Sequence, residues 1–218
     1  MPRTPEAVAR PGRVWDDNEA MRMFVAARPP EPVIEALSDF LAPRREVADS
    51  GWRWTVEEQW HLTLAFYARV PERALDDLEE RLGRAASRRA ALSLTVTSVG
   101  AFPHIGQARV LYFGVDARGV GAAERERAEL GLLAAGARAA AVKAGIEVAG
   151  SRFRPHLTLA RRGRPVEATR WVRALDGFIS PPWPLRAVTL VQSHLGEGPR
   201  GRPRYVPIAT FPLGQGSR

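Results

Sequence analysis

The amino-acid sequence predicts an α+β protein built as two similar halves, and three observations carry that expectation. Stretches with the period-two alternation of strands are interleaved with stretches of helical spacing. The pentapeptide His61-Leu62-Thr63-Leu64-Ala65 returns letter for letter as His156-Leu157-Thr158-Leu159-Ala160, 95 residues later. At 218 residues and 45% apolar content, the chain is long enough to bury one core or two closely packed ones.

The elements follow in order. Residues 1–20 are rich in Pro, Arg and Glu without periodicity and read as a disordered leader. Met21 to Ala27 is an apolar run that reads as the first strand. Pro29 and Pro30 end it, and Pro30 or Pro32 starts a helix to about Leu41, followed by a loop from Pro43 to Gly51. Trp52 to Trp54 is a short extended piece before the first pentapeptide. Pro71 to Arg89 carries Ala74, Leu75, Leu78 and Leu82 at helical spacing. Ala91 to Phe102 and Ala108 to Val115 read as a hairpin turned at 103–106. Arg118 to Lys143 is an Ala, Glu and Arg helix despite Gly131 and Gly136. After the second pentapeptide, Pro165 to Phe178 reads as a shorter helix. Trp183 to His194 and Arg204 to Phe211 read as two final strands, with Pro207 marking the last as an edge or a strand end. Residues 21–213 are expected to form a single bilobal domain, with 214–218 a tail.

Composition narrows the function. The chain has no cysteine, so disulfides and thiolate chemistry are excluded. No stretch reaches the ~18 apolar residues of a membrane helix, and no apolar signal core opens the chain, so a cytoplasmic protein with no membrane partner is expected. The net charge is +8, and all the basic residues but Lys143 are arginine. That excess reads either as a coding preference on a solvated surface or as affinity for an anion, nucleic acid first. Arginine suits phosphate because its planar fork donates two parallel hydrogen bonds.

The repeated pentapeptide carries the chemistry. With a period of two, His61 and Thr63 share one face while Leu62 and Leu64 share the other, and His156 and Thr158 follow the same rule. Two such strands meeting across a cleft suit acid–base chemistry on a phosphate ester. One neutral imidazole takes a proton from the attacking nucleophile and one imidazolium gives a proton to the leaving oxygen. A histidine titrates near ~6.5, so both forms are within reach. The threonine hydroxyls can donate to non-bridging oxygens. A single His-x-Thr is more often packing and β-propensity; a duplicated one is not, because a core tolerates many side chains at such positions.

These stretches resemble the 2H phosphoesterase superfamily, and within it the RNA 2′,3′-cyclic phosphodiesterase family, historically called 2′-5′ RNA ligases. The likeness is carried by Met21 to Ala26, by Trp60 to Phe66, by Phe153 to Arg161, and by Leu190 to Ser193 followed by Pro203 to Tyr205. It spans about residues 21–213. It implies two pseudo-symmetric lobes with antiparallel sheets around a central cleft. It implies metal-independent opening of a 2′,3′-cyclic phosphate at an RNA end to leave a 2′-phosphate, with no cofactor. His61 and His156 correspond to the family's catalytic pair, and Thr63 and Thr158 to its substrate-binding hydroxyls. The residues leave open which histidine is acid and which is base; the likeness leans to His61 as acid and His156 as base. Phe66 and Arg161 resemble a base-stacking aromatic and a phosphate-binding arginine, but strict alternation turns both away from their histidines, so a bulge must re-aim them. The expected partners are RNA ends or small cyclic-phosphate nucleotides, and the expected state is a monomer. Small cyclic substrates, 2′-5′ ligation and a non-catalytic RNA-end-binding module are the alternatives.

The remaining candidates are weaker. No His-Glu-x-x-His and no acidic cluster at ligand spacing is present, so no metal site is expected. Gly114, Gly119 and Gly121 make no nucleotide loop. His104 falls in a turn and His194 at a strand end. Of Trp52, Trp54 and Trp60, at least one is expected in the core.

Overall fold

The computed structural model describes residues 20–46, 51–117, 123–149 and 152–214. The expected leader therefore lies outside the described residues except for Ala20, and the expected tail except for Gly214, which bridges Ala90.

The strands are β1 (Met21–Ala27), β2 (Arg53–Trp54), β3 (Leu62–Val70), β4 (Leu92–Phe102), β5 (Ala108–Ala117), β6 (His156–Val166), β7 (Trp183–Leu185), β8 (Ala187–His194) and β9 (Arg204–Pro212). The helices are α1 (Glu31–Glu46), α2 (Leu75–Ser87), α3 (Ala123–Lys143) and α4 (Thr169–Leu175). The fold is α+β, with strand order β7-β4-β5-β6-β3-β1-β8-β9 and with β2 alongside β6. Neighbouring strands are antiparallel throughout. The order divides into two four-stranded lobes, β7-β4-β5-β6 and β3-β1-β8-β9. They are joined at one register pair, Leu62 with Leu157.

Each helix buries a stripe set by its sequence spacing. α2 buries Leu78, Leu82 and Ala86, and α3 buries Ala134, Ala137 and Ala141 among other small residues. The alanines let α3 approach β3 closely, and the Tyr67 hydroxyl donates to the Ala137 carbonyl at 2.8 Å. α1 buries Val33, Ile34, Leu37 and Leu41. Its Phe40 meets Phe113 and Phe178 at ring distances of 6.1 and 4.9 Å, which fixes it to the other lobe. Burying one such leucine contributes roughly 1.5–3 kcal/mol.

Three elements depart from expectation. α1 runs past Leu41 to Glu46 with Pro43 inside it. The Arg44 guanidinium supplies donors to the carbonyls of Phe40 at 2.6 Å and Ala174 at 2.7 Å, tying the irregular end of α1 to α4. The expected helix from Pro165 starts only at Thr169, because β6 stays paired with β5 as far as Val166, opposite Ala108. Glu167 then accepts from the Thr169 amide at 2.9 Å at the new helix start. The expected strand from Trp183 to His194 is two strands: β7 pairs with β4 and β8 pairs with β1, in different lobes. A continuous apolar run does not say that its two ends have different partners. Pro207 does lie on an edge strand, β9.

Candidate active site in the cleft

The two pentapeptides meet at the seam between the lobes. Leu62 and Leu157 are register partners, both fully buried. In the antiparallel register of that pair, His61 is opposite Thr158 and Thr63 is opposite His156. The local twofold of two antiparallel strands thus turns a duplicated sequence into one cluster on the face opposite the leucines. His61, Thr63, His156 and Thr158 line a cleft of about 750 Å³.

The same bulge occurs in both motifs. Val25 faces Ala65 while its neighbour Ala26 faces Thr63, so Leu64 is the extra residue in β3. Leu111 faces Ala160 while Tyr112 faces Thr158, so Leu159 is the extra residue in β6. A bulge shifts the alternation by one. Leu64 and Ala65 are consequently both buried, as are Leu159 and Ala160. The next residues, Phe66 and Arg161, are returned to the histidine face and line the cleft. By the twofold they lie at opposite ends of it, with the histidines and threonines between.

Each ring is held in the same way. The Nδ1 atoms of His61 and His156 lie 2.7 Å from the carbonyls of Gln59 and Arg154, in each case two residues upstream. A carbonyl can only accept, so Nδ1 carries the hydrogen and Nε2 is the nitrogen left for a ligand. Aromatic rings complete the walls. Phe24 stacks on His61 at 4.7 Å and Tyr205 meets its ring edge at 5.5 Å. Phe102 and Tyr112 meet His156 at 5.0 and 5.4 Å. Tyr112 reaches there because its register partner is Gly100: a Cβ on Gly100 would stand 2.4 Å from the tyrosine ring.

Burial lowers the pKa of His61 to about 4, and the charges of His156 and Arg161 push the same way against the Gln59 carbonyl. His156 is also lowered, by burial first and then by Arg161. Both rings are therefore mainly neutral in the free cleft at pH 7. Among the described residues its wall holds Arg22, Arg53, Arg161, Arg200 and Arg202 and no carboxylate. Arg161 lies 3.5 Å from the Thr158 hydroxyl, and Arg22 sits over the Phe66 ring at 4.2 Å. An anion entering here meets uncompensated cations and two imidazoles whose protonation it favours.

The other candidates fall elsewhere. His104 is exposed in its turn. His194 ends β8 and faces Glu197 at 3.4 Å. Trp60 and Trp52, 1% and 5% exposed, both belong to the core, and Trp52 also lines the cleft together with the partly buried Trp54. A second groove, of about 610 Å³, runs between α2 and α3 and is also rich in arginine. It contains no histidine, and its Arg81, Arg84 and Arg89 are paired with Asp77, Glu80 and Glu129.

The alternation did not point to Phe24 and Tyr205 around His61, to Phe102 and Tyr112 around His156, or to Arg53 and Arg202 in the cleft. The carbonyls of Gln59 and Arg154 were findable, since both precede their histidines by the same two positions.

A family model described as LigT like Phosphoesterase matches residues 28–112 and 120–200. An RNA 2′,3′-cyclic phosphodiesterase of Thermus thermophilus is 33% identical over 195 residues, covering 88% of this chain and 90% of the relative. One of Geobacillus stearothermophilus is 28% identical over 165 residues, 73% of this chain and 47% of the relative. Among solved structures, a Thermus thermophilus protein superposes with a TM-score of 0.70 at 30% identity, over 90% of this chain and 100% of that one. E. coli LigT in apo form superposes at 0.69 with 25% identity, over 91% and 100%. Its complex with 3′-AMP superposes at 0.66 with 25% identity, again over 91% and 100%. With matches covering most of its length, this chain belongs to the LigT-like family of 2H phosphoesterases.

Proposed function

We propose that the protein opens 2′,3′-cyclic phosphates at RNA ends, without a metal ion, and leaves a 2′-phosphate. The observation that carries this reading is the convergence of His61, Thr63, His156 and Thr158 on one face of the lobe seam. Water attacks phosphorus, the P–O3′ bond breaks, and O3′ leaves with a proton. One imidazole takes the proton of the water through Nε2, and the other supplies the proton to O3′. The hydroxyls of Thr63 and Thr158 donate to the non-bridging oxygens, and Arg161 neutralises charge beside Thr158. Burial keeps the pair neutral until substrate arrives; the phosphate then opposes the burial effect and restores a proton to one ring. His61 can therefore serve as the acid implied by the family likeness only with the anion in place.

The substrate class rests on the cleft's cations and on Phe66, whose ring at the far end offers a stacking surface for a base. The similar names of its relatives, and the 3′-AMP bound by E. coli LigT, support a nucleotide with a phosphate on the ribose edge. The metal-free reading rests on the donor set: among the described residues the wall offers imidazole, hydroxyl and guanidinium, and no carboxylate for a divalent ion. A synthetic RNA ending in a 2′,3′-cyclic phosphate, incubated with the protein and EDTA, is expected to yield a 2′-monophosphate end. A 3′-phosphate product, or turnover only with a divalent ion, would sink the proposal.

A further inference from the structure

We propose that Arg53 binds the phosphate on the 5′ side of the reacting ribose, so that the cleft selects nucleotides joined to a chain, or 5′-phosphorylated, over bare cyclic nucleosides. This rests on the cyclic phosphodiesterase reading and names which form of that substrate the cleft prefers.

Strand register sets two like charges against each other. β2 is only Arg53–Trp54, and it pairs with β6 so that Arg53 is directly opposite Arg161. The Cβ atoms of directly opposed residues on neighbouring strands stand about 5 Å apart, and like charges carried there repel. Among the described residues neither arginine has an acidic partner, and the cleft wall contains none. Two facing guanidinium groups without a carboxylate are relieved by an anion between or above them.

The reacting phosphate does not account for both. A cyclic phosphodiester carries one negative charge, and Arg161, beside Thr158, already meets it. Arg53 lies one strand spacing from Arg161, on the edge of β6 that pairs with β3 at Leu157, at the end of the cleft remote from Phe66. A second anion at that end is what the shape of the ribose supplies. Its base leaves from C1′ and its 5′ oxygen through C4′, and these two carbons flank the reacting C2′ and C3′. With the cyclic phosphate between the histidines and the base toward Phe66, the 5′-phosphate is carried toward Arg161 and Arg53. Arg202 extends the same end: its Nη2 donates to the Trp54 carbonyl at 3.4 Å, and it lines the cleft with Arg200.

The test compares two probes that differ only in the 5′-phosphate. Adenosine 2′-monophosphate and adenosine 2′,5′-bisphosphate are titrated into the wild type, Arg53→Ala and Arg53→Lys by calorimetry. The wild type is expected to prefer the bisphosphate, and Arg53→Ala to weaken it roughly 10- to 100-fold, the range of a charge-assisted hydrogen bond. The monophosphate should change by less than about twofold, and Arg53→Lys should retain part of the preference. Equal losses for both probes would mean that Arg53 grips the reacting phosphate or merely shapes the cleft, and the inference falls. No loss for either also overturns it. Turnover of 2′,3′-cyclic AMP and its 5′-phosphorylated form is measured alongside. Absence of turnover with both substrates would remove the proposed reaction, while the binding comparison still decides the 5′-phosphate site.

Discussion

His61 and His156 come from identical pentapeptides, sit beside identical bulges and contact carbonyls at identical offsets, yet their surroundings differ. His61 lies flat against Phe24, whereas His156 meets Phe102 and Tyr112 only by their edges. The first environment displaces titration further, to about 4 for His61. The positions that the two bulges return to the cleft also differ, an aromatic ring at Phe66 and a cation at Arg161. Duplicating the backbone device fixed where polar groups converge; divergence at its rim gave one end an aromatic ring, with Arg22 over it, and the other end Arg161 set against Arg53. A symmetric frame thereby gains two unlike ends, as the proposed substrate, a nucleotide with a base on one side of the reacting phosphate and a chain on the other, requires.

The strongest way to break this comparison is to remove each ring in turn. His61→Ala and His156→Ala should each lower kcat by roughly 10²–10⁴ while the fold persists, since each ring is only half-buried. The double variant should lose little more than the worse single one, because groups acting as a unit are not additive. A variant that keeps most of its activity would remove its histidine from the chemistry. Next come the divergent positions. Phe66→Ala should raise KM for an RNA end by about 5- to 150-fold through lost stacking, with kcat less affected. Arg161→Ala should lower kcat itself, because the proposed reaction puts its charge beside the phosphate. Matching KM effects from both would contradict the division into a base end and a phosphate end.

A smaller effect separates the rings by stability. A histidine whose folded pKa is lowered favours the neutral form, so the unfolded chain binds more protons as pH falls below about 6.5. The contribution of His61 is therefore complete above about pH 6.5 and declines toward about pH 4, by about 3 kcal/mol at most. Urea midpoints across that range should fall for the wild type, and His61→Ala should flatten the decline more than His156→Ala. Equal flattening would mean that the two environments do not differ in the way described. The smallest effect is expected outside the cleft. His104→Ala should leave kcat/KM unchanged and stability within about 0.5 kcal/mol, as an exposed turn position.

Much of this was legible before any coordinates. The alternation within each pentapeptide gives the face shared by His61 and Thr63, and Leu62, Leu157 and Leu159 are buried as their pattern requires. The repeat itself announces two halves. What sequence obscured has specific causes. Phe66 and Arg161 looked misdirected because a bulge leaves no mark in composition; Leu64 and Leu159 are ordinary strand residues. The strand at Trp183 was read through to His194 because alternation records burial and is silent about partners.

Local pattern is enough to say which side chains share a face, because the pleat has a period of two and the core accepts only the apolar side. It says nothing of which strands lie side by side, since pairing is made by backbone groups common to every residue. That His61 stands across from Thr158, that Arg53 is set against Arg161, and that Phe24 covers one imidazole are all consequences of register between segments distant in the chain. The packing of both lobes fixes that register at the single Leu62–Leu157 contact.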